Sequence, residues 1–151
     1  MSQSLAQIYL HIVFSTKERR PFLRSHKTLT RMHEYLGGIC RELDCPAIRI
    51  GGVEDHVHVL CRLGRSIRIA DLLRNLKRDS SKWAKAEFSG LRDFSWQAGY
   101  GAFSISPSHV DRLVSYISNQ HEHHRKESFQ DEFRRLLRKY DVEWDERYVW
   151  D

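Results

Sequence analysis

The segment Asp55-His56-Val57-His58-Val59-Leu60 sets two histidines on either side of one apolar residue, inside a run that reads as a buried strand. Side chains alternate faces along a strand, so His56 and His58 project together while Val57, Val59 and Cys61 point the other way. That arrangement lets two imidazoles converge on one metal ion. Tyr116 and Gln120 stand four residues apart in a stretch with helical periodicity and are expected on one face of that helix. A histidine pair, a helical phenol and an amide oxygen as third ligand together suit nucleophilic attack on a metal-held phosphate.

Each feature has an ordinary alternative. A lone histidine pair in a strand is commonly structural, but here Glu54 and Arg62 share its parity, so the pair is expected to face away from the main core. A helical tyrosine most often packs. Tyr116 lies beside the stripe Val110, Leu113, Val114 and Ile117 rather than within it, one turn from Gln120. Imidazoles alone favour zinc or copper, whereas Mg²⁺ prefers carboxylates, so the ligands do not fix the metal. His121, His123 and His124, next to Arg125 and Lys126, suit either a second metal cluster or a cationic, phosphate-facing helix end. Arg74, Lys77, Arg78, Lys82 and Lys85 around Trp83 form the best candidate phosphate-contacting helix, with a solvated face as the alternative. Arg134, Arg135, Arg138 and Lys139 read as an amphipathic surface. No Walker loop, dinucleotide fingerprint or Gly-x-Ser-x-Gly elbow occurs.

These residues must be positioned by a modest chain of 151 residues, most simply one domain spanning 1–151. Lys plus Arg number 25 against 20 Asp plus Glu, which allows a polyanionic partner without requiring one. Cys40, Cys45 and Cys61 are odd in number and lack paired zinc spacing, which points to packed thiols in a reducing cytosol. The N-terminus lacks a basic region followed by an apolar stretch, and no segment approaches the roughly 18 apolar residues of a membrane span. A cytoplasmic protein is expected.

The pattern predicts strands at 8–14, 46–51, 56–63 and 96–106, and helices at 25–43, 67–88, 107–126 and 128–140. Ser25 and Ser128 are candidate caps, Pro107 a helix opener, and Gly51-Gly52-Val53-Glu54-Asp55 a hairpin turn. The order β-α-β-β-α-β is the ferredoxin-like succession, an α+β class with an antiparallel sheet and additional C-terminal helices.

Read together, the motifs resemble the single-tyrosine HUH transposases, the insertion-sequence-200-type enzymes and their REP-associated tyrosine transposase relatives. Tyr9-Leu10-His11-Ile12-Val13-Phe14-Ser15-Thr16-Lys17-Glu18-Arg19 is similar to the family's opening strand and basic turn. Gly52-Val53-Glu54-Asp55-His56-Val57-His58 resembles its histidine-hydrophobic-histidine strand, and Leu76-Lys77 with Ser80-Ser81 its basic helix. Trp96-Gln97-Ala98-Gly99-Tyr100-Gly101 and Tyr116-Ile117-Ser118-Asn119-Gln120 resemble the strand before the nucleophile and the tyrosine helix. The resemblance implies Tyr116 as nucleophile, His56, His58 and Gln120 as ligands of Mg²⁺ or Mn²⁺, and a 5′-phosphotyrosine intermediate in cutting and rejoining single-stranded DNA. It also implies hairpin recognition at element ends, and a homodimer in which one chain's histidines serve the other's tyrosine. Lys77, Arg78, Lys82, Lys85, Arg125 and Lys126 are the candidate DNA contacts. Two competing classes are a non-enzymatic ferredoxin-like module that binds single strands on an exposed sheet, and a zinc hydrolase, for which no acidic residue is spaced as an obvious third ligand.

Overall fold

A computed structural model describes residues 2–151. The order is β1 (Tyr9–Ser15), α1 (His26–Glu42), β2 (Ala47–Val53), β3 (His56–Arg62), α2 (Ile69–Glu87), β4 (Gly101–Ile105), α3 (Val110–Ser118), α4 (Gln120–His123) and α5 (Phe129–Lys139). The four strands form one sheet in the order β2-β3-β1-β4, with every neighbouring pair antiparallel. This is the ferredoxin-like α+β arrangement that the element order predicts. No helix among the described residues is long and apolar enough to cross a membrane.

Strand alternation divides the protein into two packed layers. Leu10, Ile12 and Phe14 of β1, with Val57, Val59 and Cys61 of β3, bury against Leu29, Met32 and Leu36 of α1 and Leu72, Leu73 and Leu76 of α2. Residues of opposite parity face the C-terminal helices, where Val13 and Phe103 pack with Phe129, Phe133, Leu136 and Leu137. Register puts His11 opposite Leu60, Val13 opposite His58 and Ser15 opposite His56, so all three strand histidines lie on that second face. They are nevertheless fully buried, because α5 and the short α4 turn cover them. Both faces of the sheet are thus packed against helices, which disfavours the exposed-sheet binding module.

Two glycines let the C-terminal helices come this close. A Cβ on Gly51 would lie 2.5 Å from the carbonyl oxygen of Ile117 in α3, and one on Gly101 would lie 2.6 Å from the Phe133 ring of α5. Ser25 and Ser128 cap α1 and α5 as expected, accepting hydrogen bonds from the backbone N–H of Thr28 and Asp131.

Three elements differ from the sequence-based expectation, the first being β2, which continues through Gly51, Gly52 and Val53 in register with β3 and leaves only Glu54 and Asp55 to turn. The fourth strand begins at Gly101 rather than Trp96, because the preceding carbonyls have other partners: Lys77 Nζ donates to the oxygens of Gln97, Ala98 and Gly99 at 2.9, 3.0 and 2.6 Å. The helix expected over 107–126 is a short 3₁₀ turn (Pro107–His109), α3 and α4, broken at Asn119, whose backbone leaves the helical region at φ −104°, ψ 24°.

Candidate metal centre and tyrosine

β3 presents His56 and His58 on its covered face, as their spacing predicts, and α5 lowers Glu132 between them. His58 Nε2 lies 3.1 Å and His56 Nε2 3.3 Å from Glu132 Oε1. These three buried side chains form a group in which one donor atom from each lies within 4.8 Å of the others, close enough to hold one metal ion. Gln120 Oε1 lies 2.9 Å from His56 Nε2, so the amide oxygen is in the same cluster. Gln120 Nε2 donates to Glu132 Oε2 at 2.9 Å, and His124 Nε2 lies 2.9 Å from Glu132 Oε1. Two imidazoles with a carboxylate, and an amide oxygen beside them, make a donor set that fits a divalent cation.

Tyr116 reaches the same carboxylate from α3. Its hydroxyl donates to Glu132 Oε2 and accepts from Arg135 Nη2 at 2.9 Å. Glu127 holds that guanidinium through two hydrogen bonds, 3.2 Å from Nε and 2.9 Å from Nη2. Tyr116 and Gln120 therefore meet at one point although a helix break separates them. The Tyr116 and His58 rings lie edge to face, their centroids 5.8 Å apart.

A further layer orients the imidazoles. Asp55 Oδ1 lies 2.8 Å from His56 Nδ1, leaving Nε2 for the centre. His11 Nε2 lies 2.8 Å from His58 Nδ1, and the two rings stack with centroids 5.1 Å apart. When His58 offers its Nε2 lone pair to a cation, its proton sits on Nδ1 and is donated to His11.

The protonation preferences follow from these contacts. Burial opposes a charge on Glu132, but hydrogen bonds from His124, His56 and His58 outweigh it and hold the carboxyl far below the usual carboxylate range. Burial likewise opposes a charge on His56, yet Asp55 and Glu132 lift it to about 9. His58 is lowered, chiefly by burial. Burial and the Glu132 charge raise the Tyr116 phenol, and Arg135 opposes them. The resting centre thus pairs a carboxylate with an imidazolium and keeps the phenol neutral.

The expected basic residues separate into groups. Lys77 is committed to the β4 approach as described, and burial brings its ammonium down to about 8, so it is not a free phosphate contact. Arg78 pairs with Asp79, while Lys82 and Lys85 are exposed on α2, across the sheet from Tyr116. Arg125 is exposed beside Glu122, and Lys126 lines a recess next to Tyr116. Glu132 and Arg135 were missed as site residues. The signal for Glu132 was present, since it shares the Phe129, Phe133, Leu136 and Leu137 stripe, where an acid has no solvent to face. It also supplies the acid that the spacing around the histidine pair lacked.

Comparison with known proteins places this geometry. A family model described as IS200-like transposase matches residues 4–120, ending before α5 begins. No curated protein sequence matches the chain significantly. Among solved structures, a candidate transposase from Deinococcus radiodurans R1 shares 20% identity over 80% of this chain and 98% of its own, with a TM-score of 0.65. A REP-associated tyrosine transposase bound to a REP hairpin shares 16% identity over 82% of this chain and 74% of its own, with a TM-score of 0.59. At these identities the structural likeness establishes the fold.

Proposed function

Because the chain belongs to the IS200-like transposase family, whose members are DNA-cutting enzymes, we propose that it cuts and rejoins single-stranded DNA with Tyr116 as the nucleophile. The observation that carries this reading is the shared carboxylate: Glu132 touches both His56 and His58 through Oε1 and accepts the Tyr116 hydroxyl through Oε2. One side chain thus ties the phenol to the place where a phosphate would be held. The REP hairpin on the similar tyrosine transposase supports a hairpin-bearing substrate here as well.

His56, His58 and Glu132, with Gln120 beside them, would hold Mg²⁺ or Mn²⁺. Bound there, a divalent cation would supply Lewis-acid stabilisation of the charge that develops on the phosphate. Imidazole nitrogens suit Mn²⁺ better than Mg²⁺, and the carboxylate accommodates both. Tyr116 stays a neutral phenol at rest and is aimed by its two hydrogen bonds. As the phenol oxygen bonds to phosphorus and loses its proton, the Arg135 guanidinium stabilises the charge forming on it. The bond to O3′ breaks, that oxygen takes up the proton that the phenol passed to Glu132 Oε2 and leaves as a 3′-hydroxyl, and the strand remains on Tyr116 through its 5′-phosphate. Attack by another 3′-hydroxyl reverses these steps and joins new ends. We assign residues 1–151 to one functional unit, since α5 completes a centre whose other groups lie in 56–120.

Incubation with hairpin-bearing single-stranded DNA, plus Mn²⁺, tests this reading. The expected product is a covalent protein–DNA adduct that withstands sodium dodecyl sulfate, disappears with chelator and is absent from Tyr116→Phe. An undiminished adduct on Tyr116→Phe would overturn the assignment.

A further inference from the structure

Two recesses meet at the Tyr116 and Arg135 side chains, and their charge differs. The larger, about 990 Å³, is lined by Glu122 and Glu127 together with His123 and Lys126. The other, about 620 Å³, extends along α3 and α5 past Arg112 and Lys139 to Tyr140, and no carboxylate lines it. Arg112 and Lys139 are exposed, and neither is paired with an acid among the described residues. A volume of this size falls within the about 300–1,000 Å³ range of small-ligand pockets.

One residue lining this second recess carries an unsatisfied polar group. His11 lines it, is fully buried and uses Nε2 on His58, which leaves Nδ1 without a partner. It is one of only two buried side-chain polar atoms among the described residues in that condition. Buried polar atoms are ordinarily paired, so an unpartnered imidazole nitrogen on a residue lining the recess leaves a hydrogen bond for a ligand's polar edge to make. Ile105, Leu113 and Leu136 supply apolar walls to the recess. Cations at the rim, apolar walls and a buried polar atom match the parts of a nucleotide: phosphate, base face and base edge.

We propose that this recess is a nucleotide subsite, receiving one nucleotide that flanks the phosphate attacked by Tyr116. Arg112 and Lys139 hold its backbone phosphate, Leu113 and Tyr140 flank its base, and His11 meets the base edge. The strand leaves the tyrosine on this side because its recess is lined by Arg112, Arg135 and Lys139 and by no carboxylate, whereas the cations of the opposite recess are matched by Glu122 and Glu127. Its position beside a scissile phosphate rests on the reading of Tyr116 as nucleophile, whereas binding in the recess does not require cleavage.

The test is a titration of the full chain, in Mg²⁺-containing buffer, with each of the four deoxynucleoside 5′-monophosphates, followed by amide nuclear magnetic resonance. Inorganic phosphate is titrated in parallel. Saturable shifts are expected to be confined to residues 104–116 and 135–140 for at least one nucleotide, with phosphate alone binding more weakly. Arg112→Ala combined with Lys139→Ala should weaken that nucleotide about tenfold. Leu113→Trp, which places an indole in the recess, should abolish the shifts while the rest of the spectrum stays folded. Absence of localised shifts with every nucleotide, or phosphate binding as tightly as all of them, overturns the proposal. Failure of the Tyr116 reading would show separately, as a missing or misplaced DNA adduct from a protein that still binds nucleotides here.

Discussion

At the scale of single residues, Glu132 accepts the Tyr116 hydroxyl and is the counter-charge to His56, and in the proposed reading it is also a ligand to the cation. Glu132→Gln keeps the shape and removes the charge, so Mn²⁺ affinity measured by calorimetry should fall at least about tenfold. Unchanged affinity would remove Glu132 from the metal site. The metal-free protein should also show the His56 ion pair in its stability. A histidine raised from 6.5 to about 9 by folding contributes stability that is fully present below about pH 6.5 and is lost as pH rises through 9. The denaturation free-energy difference between the parent protein and His56→Gln should therefore shrink by on the order of 3 kcal/mol between pH 6.5 and 9.5. A pH-independent difference would show that His56 is neutral at rest. His56, His58, Tyr116 and Gln120 were readable because strand and helix spacing alone put them on common faces. Glu132 and Arg135 were not, because their contacts depend on how α5 folds back over the sheet, and local spacing says nothing of that.

At the scale of elements, function depends on how closely α3 sits on the sheet. β2 carries no bulk at Gly51, where Ile117 of α3 rests against the strand, one residue from Tyr116. Gly51→Ala should push α3 outward and slow single-turnover cleavage about 10²-fold, since a displacement near 1 Å costs that much. Mn²⁺ affinity should change far less, because His56, His58 and Glu132 lie on β3 and α5. Equal losses in both would mean that the substitution disrupts the whole centre rather than the tyrosine helix. The first three strands and the first two helices were legible from alternation, periodicity and caps. The early start assigned to the fourth strand failed for a definite reason: Trp96–Tyr100 has strand-like composition, but Lys77 takes three of its carbonyls and Asp151 accepts from the Gly99 N–H. The break at Asn119 escaped notice because the apolar stripe before it and the histidine-rich run after it both suit a helix.

At the scale of the whole molecule, the chain folds its own tyrosine onto its own histidines. The family resemblance implies sites shared between two chains, and within one chain Tyr116, His56, His58 and Glu132 already lie together. We propose that attack occurs within one chain, so that a homodimer would carry two self-contained sites. The matched family segment ends at residue 120, so the helix that supplies Glu132 and Arg135 lies beyond it and closes the centre from the C-terminal side. The most direct measurement of this account mixes parent chains with His58→Ala chains of different mass, confirms subunit exchange, and asks which chain becomes covalently linked to DNA. Attack within one chain predicts an adduct on the parent chain alone, because its tyrosine and histidines are both intact. An adduct on the His58→Ala chain, formed by its tyrosine over the parent's histidines, would contradict it.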